Sequence, residues 1–209
     1  MKQKRLIMLT LLMSAMCLAS YAQGEAPKQL KSSFGVKAGM NLSTISNGDA
    51  SIHFSPAMKA DFHMGLLANL HFGYRDEGAP VGTGWFGLQP ELLYSRQGFA
   101  VDGEAIGFDY LTLPVMAKLY VTRNINIEAG PYLSYLLSTS PATTVIDDAE
   151  IPLSNLKSKT GIGVGIGAEY ETRQGLTVGV RYNLGLSDMA NNLQWKSNTL
   201  AVSVGWLFF

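Results

Sequence analysis

Apolar residues recur at every second position along most of this chain, and the positions between them are glycine, small polar or charged. In residues 34–45, FGVKAGMNLSTI, one face carries Phe34, Val36, Ala38, Met40 and Leu42 and the other Gly35, Lys37, Gly39, Asn41 and Ser43. Side chains on a strand point to opposite faces with period two, whereas a helix repeats every 3.6 residues. The same alternation marks residues 58–72, 85–97, 110–121, 126–138, 160–171, 175–186 and 198–209. The clearest is TGIGVGIGAEYE, where Ile162, Val164, Ile166, Ala168 and Tyr170 oppose four glycines, Glu169 and Glu171. Eight strands are predicted, and no segment asks to be a long helix.

The links between them alternate in length. Residues 122–124 and 172–174 are short turns, while 46–57, 98–109, 139–159 and 187–197 are long. In an up-and-down meander this puts the long links at one end, as in outer-membrane barrels with short periplasmic turns and longer external loops. Residues 73–84 depart from the rule, being long where a short turn belongs. Pro90, Pro114 and Pro131 fall inside predicted strands. A closed barrel has no edge on which to place them, so a bulge or a strand end is expected at each.

A soluble barrel turns its apolar face inward, and a membrane barrel turns it outward to lipid. An eight-stranded barrel is only just wide enough for side chains to fill. The glycine-rich face suits that space, and it would make a poor solvated exterior. The apolar face is therefore expected in lipid. Aromatic residues support this, with Phe34, Phe72, Phe86, Tyr170, Trp206 and Phe208 near one rim and Tyr94 and Tyr135 near the other. The expected fold is all-β, an eight-stranded antiparallel up-and-down transmembrane β-barrel over residues 34–209. A cleaved signal peptide (1–22) and a polar leader (23–33) precede it.

The signal peptide is read from Lys2, Lys4 and Arg5, an apolar stretch from Leu6 to Leu18, and small residues at Ser20 and Ala22 before the cut. Cleavage discards Cys17, the one cysteine, so neither a disulfide nor thiol chemistry is expected. It also turns a balance of 16 basic and 16 acidic residues into a small acidic excess, which gives nucleic acid nothing to bind.

Several local patterns resemble the small outer-membrane β-barrel proteins of Bacteroidota, the porin-like family that includes PorT-type proteins. They are GVKAGMNLSTI, GLQPELLYSRQGF, YLTLPVMAKLY, EAGPYLSYLLS and GIGVGIGAEYETRQGLTVGVRYNLGLSD. The resemblance implies an eight-stranded barrel with both termini periplasmic and strand prolines at Pro90, Pro114 and Pro131. It implies no single activity, although PorT-type members are linked to protein secretion and assembly. The terminal VGWLFF looks like an insertion signal read by the barrel-assembly machinery.

The charges expected in the lumen are Lys37, Lys59, Asp61, Glu91, Lys118, Glu128, Glu169 and Arg181. Lys118 and Glu128 are expected opposite or diagonal across one hairpin, and Glu169 near Arg181 across the next. Buried charges must pair, so the expectation is a salt-bridge plug rather than a solute path. His63 and His71 stand roughly 26 Å apart along one strand and cannot share a site. Asp61 and His63 could touch as a general-base pair, but no nucleophile accompanies them. No histidine cluster has ligand spacing, and the glycines 161–167 lack the helix of a dinucleotide site. No catalysis, metal or cofactor is expected. The link 139–159 carries an acidic tip, Asp147, Asp148 and Glu150, that could contact a protein partner or weakly hold calcium. The function expected is structural, assembly or partner-binding, exerted through external loops. The alternatives are a narrow channel for small solutes and an exported soluble barrel that binds an apolar ligand.

Overall fold

The computed structural model describes residues 31–47, 57–72, 86–101, 104–140, 143–146, 149–152, 160–187 and 195–208. The signal-peptide reading, residues 1–22, lies outside them. The strands are β1 (Lys31–Asn47), β2 (Ala57–Phe72), β3 (Phe86–Val101), β4 (Glu104–Tyr120), β5 (Ile125–Ser140), β6 (Thr143–Ile146), β7 (Ala149–Pro152), β8 (Thr160–Glu171), β9 (Leu176–Gly185) and β10 (Trp195–Phe208). Eight of them close in the order β1-β10-β9-β8-β5-β4-β3-β2, and β6 and β7 form a separate two-stranded sheet. Every barrel pairing is antiparallel, and β1 closes on β10 from Phe34↔Phe208 to Asn47↔Trp195. Closure pairs the backbone all the way round, the condition for a sheet to sit in hydrocarbon. β1 starts at Lys31, inside the stretch read as leader.

Period two sorts the side chains as the alternation predicts. Phe34, Met40, Leu66, Ile127, Ile162, Ile166, Val180 and Val204 are exposed on the outside. Lys37, Asn41, His63, Glu91, Lys118, Glu128, Glu169 and Arg181 are buried inside. The apolar face is the outer one, which overturns the soluble alternative, whose ligand would need an apolar interior. Phe34 opposite Phe208, Trp206 beside them, and the Phe72 and Phe86 rings at 5.9 Å form an aromatic girdle at the end that holds the termini and short turns.

Those turns are tightly tied. Thr122 Oγ1 accepts from the backbone N–H of Asn124 and Ile125, and Asn124 Nδ2 donates to the carbonyl of Glu171 at 2.7 Å. Gly175 belongs to the second turn rather than to a strand. Its φ of 99° suits glycine, and its N–H donates to the Thr172 carbonyl.

Three expectations are corrected. The link 98–109 is mostly strand, since β3 runs to Val101 and β4 starts at Glu104 in continuous register (Phe99↔Ile106, Gly98↔Gly107). Part of the link 139–159 is likewise the β6–β7 hairpin. Neither a bulge nor a strand end marks the prolines. β3, β4 and β5 pass through them, and the register shifts lie instead between Met58 and His63 and between Asp109 and Tyr110. Around Pro131 the ladder lapses between Pro114↔Tyr132 and Ala117↔Ala129 with its offset unchanged. A Cβ on the adjacent Gly130 would lie 2.0 Å from the Val115 carbonyl, so glycine lets the two backbones approach there.

Candidate functional site

The lumen is crossed by a continuous chain of six charges. Lys118 Nζ bonds Glu169 Oε1, and Glu169 Oε2 accepts from Lys37 Nζ at 3.0 Å. Lys37 also reaches Glu91 Oε1 at 2.9 Å. Glu91 then takes both terminal nitrogens of Arg181, at 2.7 and 2.8 Å, and Arg181 Nε donates to Glu128 Oε1 at 2.7 Å. All six side chains are buried. They come from β4, β8, β1, β3, β9 and β5, and no pair in the chain joins neighbouring strands. The links therefore cross-brace the barrel, the longest running from β9 to β3 on opposite walls. A planar guanidinium forked onto a carboxylate is the strongest of these pairings.

The two placements expected across the hairpins hold in register, yet neither becomes an ion pair. Lys118 is opposite Glu128 in register, yet their charges go to Glu169 and Arg181. Arg181 is opposite Gly167, diagonal to Glu169, and goes to Glu91 and Glu128. In so narrow a barrel, long side chains leave their own wall and meet partners near the axis. The glycines of β8 make the room. A Cβ at Gly165 would sit 2.7 Å from Asn183 Oδ1 and 3.3 Å from Arg181 Cδ, and one at Gly167 3.1 Å from Glu128 Oε1. At Gly163 it would meet the Tyr132 ring at 2.3 Å and the Leu184 carbonyl at 2.3 Å. Gly163→Ala is thus expected to cost about 1–3 kcal/mol through overpacking, measured as a lower urea midpoint for loss of the fast-migrating unboiled band. A midpoint equal to wild type would mean that Tyr132 does not pack on β8.

The remaining predicted charges form a separate group toward the loop end. Lys59 pairs with Asp61 at 2.6 Å, and Arg96 Nε lies 3.6 Å from both Asp61 and Asp109. Ser138 donates to Asp109 at 2.6 Å. Arg96 was missed because strict alternation places it on the outer face, and Asp109 because it falls in the stretch read as the link 98–109. β3 and β4 have 16 and 17 residues, more than the roughly 9–11 that cross a bilayer, so polar groups fit their far ends. Asp61 serves Lys59, not His63, whose Nδ1 bonds Asn41 Oδ1 at 2.9 Å. The Asp61–His63 contact weighed from the sequence is thus replaced by two separate ones.

A third group sits at the turn end. Tyr120 donates to Glu171 Oε2 at 3.2 Å and its hydroxyl also bonds His71 Nε2, while Asn69 reaches both Tyr120 and Glu171. The position of Glu171, two residues beyond Glu169, was the signal for it. Asp147 and Asp148 of the acidic tip lie outside the described residues, and the backbone of Glu150 is in β7 opposite Val145. Among the described residues no group of three His, Cys, Asp or Glu side chains is placed to hold a metal ion.

The chain is similar to small outer-membrane barrels of known structure. Neisserial surface protein A, NspA, aligns at 14% identity over 85% of this chain and 99% of that one, with a TM-score of 0.52. Ail, the attachment invasion locus protein of Yersinia pestis, aligns at 13% identity over 85% and 99%, with a TM-score of 0.47. At such identities the first likeness speaks for the fold alone. No curated protein matches the sequence. The family model described as outer membrane protein beta-barrel domain matches residues 21–191, which takes in seven of the eight barrel strands and stops before β10. A closed sheet with its apolar face outward, together with that match, makes this chain a member of the outer membrane protein beta-barrel domain family.

Proposed function

We infer that this outer-membrane protein is a plugged barrel with a structural, assembly or partner-binding role, exerted through its loops and without catalysis. The observation that carries the reading is the six-charge chain, which crosses the lumen from wall to wall with mutually neutralising groups. Its working surface is then the loop end, where the β3–β4 extension and the β6–β7 hairpin project. The termini and the short turns face the periplasm in this reading, the assembly machinery inserts the chain, and lipid is its standing partner. The PorT-type Bacteroidota affiliation rests on the local patterns quoted above.

The rival reading is a narrow path for small solutes, favoured by a polar cavity beside Lys37 and Arg181. Conductance in planar bilayers separates the two. The intact protein is expected to pass no steady current in molar potassium chloride, because an ion would have to displace buried, paired charges. A stable ohmic conductance from the folded protein would sink the plug.

A further inference from the structure

The barrel closes where β1 meets β10, the first strand against the last. β1, β2 and β3 lie on one side of that seam and β10, β9 and β8 on the other, with β4 and β5 facing it across the lumen. Of the five links in the charge chain, two tie one side of the seam to the other. Lys37 of β1 holds Glu169 of β8 at 3.0 Å, and Glu91 of β3 takes the fork of Arg181 from β9 at 2.7 and 2.8 Å. The Lys37–Glu91 pair, at 2.9 Å, joins these two straps. Lys118–Glu169 and Arg181–Glu128 run from β4 to β8 and from β9 to β5, and neither crosses the seam. β10 itself gives none of the six charges. Its buried lumen side is Thr199, Ala201, Ser203 and Gly205, all small, which leaves room for the straps to pass over it.

Neither strap can exist before closure. In the same strands laid out as an open sheet from β1 to β10, β1 and β8 are five strand intervals apart and β3 and β9 four. At about 4.8 Å per interval those gaps are roughly 24 and 19 Å, beyond the combined reach of a basic and an acidic side chain. Closing in a wrong register fails as well. A slip of two residues at the seam keeps every side chain on its face but carries Lys37 about 7 Å along its strand, away from Glu169. The charges would then be buried without partners, which opposes closure. We propose that the two straps are a closure latch, formed only when β1 docks on β10 in the register Phe34↔Phe208 and holding that seam shut afterwards.

The test is amide hydrogen exchange resolved strand by strand, on the whole barrel folded in detergent micelles. Lys37→Met cuts one strap and its connection to the other. It is expected to speed exchange in β1 and β10 about tenfold or more, while β4 and β5 stay within about twofold of wild type. Lys118→Met is the comparison, since it removes an equally buried link that does not cross the seam and leaves Glu169 on Lys37. It is expected to spare β1 and β10. Equal acceleration in every strand by Lys37→Met, or an opened seam in Lys118→Met, would make the chain a general stabiliser and overturn the latch. Unchanged exchange at the seam overturns it too. If Lys37→Met does not migrate as folded barrel, Glu169→Gln keeps the side-chain length, cuts the same strap and is read the same way. In kinetics, Lys37→Met is expected to raise the unfolding rate about tenfold or more and to change the folding rate less than about twofold, because a latch forms after the transition state. A folding rate that falls as far as the unfolding rate rises also overturns the proposal. No current is measured, so the plug and the latch stand or fall separately.

Discussion

Arg181→Met is expected to remove about 3–5 kcal/mol of stability, the cost of breaking a buried pair and leaving its partners charged. Arg181 is the hinge of the chain, with two nitrogens on Glu91 and the third on Glu128. Without it Glu91 keeps Lys37 and Gln89, at 2.9 and 2.6 Å. Among the described residues Glu128 keeps no partner, since its second oxygen already lacks one. Equilibrium unfolding by urea in lipid or detergent, followed by the fraction migrating as folded barrel, gives the number. Arg181→Lys is expected to recover only part of the loss, because an ammonium cannot fork onto Glu91 while reaching Glu128. Arg181→Met combined with Glu128→Gln is expected to cost less than the two separate losses added, the signature of direct coupling. A loss below about 1 kcal/mol for Arg181→Met is what a solvent-exposed ion pair gives. It would mean a water-filled lumen, and the plug would fall with it.

How much of this was legible beforehand depended on whether neighbours along a strand or partners across space decide. The faces of β1, β8 and β9 follow from period two alone, and the bounds of β8 agree with the alternating run TGIGVGIGAEYE. The β3–β4 extension was hidden because the polarity of the alternation reverses there. Phe99, Ile106 and Phe108 are buried, on the same parity as Glu91 and Lys118, while Arg96 and Asp109 take the opposite one. A rule that puts every apolar residue outside reads that stretch as loop. The ion pairs were not legible for a different reason. Sequence fixes which residues share a face, and hairpin register fixes which are opposite. Who meets across the axis depends on reach and on where the wall is bare, which here is β8. The prolines were misjudged because a barrel can drop ladder bonds beside Pro131 and keep its register, given Gly130 to let the strands close up.

The outward face admits a test in which depth in the bilayer is the variable. Ile166 is exposed midway along β8, with Ala129 and Tyr182 beside it in register. Ile166→Arg is expected to cost about 2–4 kcal/mol when the barrel is folded in a bilayer, the price of a cation near the midplane. Leu186 is equally apolar and equally exposed, but follows the last residue of β9 at the loop end. Leu186→Arg is expected to cost only about 0–1 kcal/mol, because there the guanidinium reaches headgroups and water. Both variants keep the lumen untouched, so any difference belongs to the outer surface. Reversible unfolding from phospholipid vesicles measures it. Equal and small losses would mean that Ile166 does not face hydrocarbon, whatever the closure of the sheet. A large loss at Ile166 with a small one at Leu186 would place the lipid boundary between them. It would also make the bare inner wall of β8 intelligible, since the strand then gives its bulk to the bilayer and its space to the charges inside.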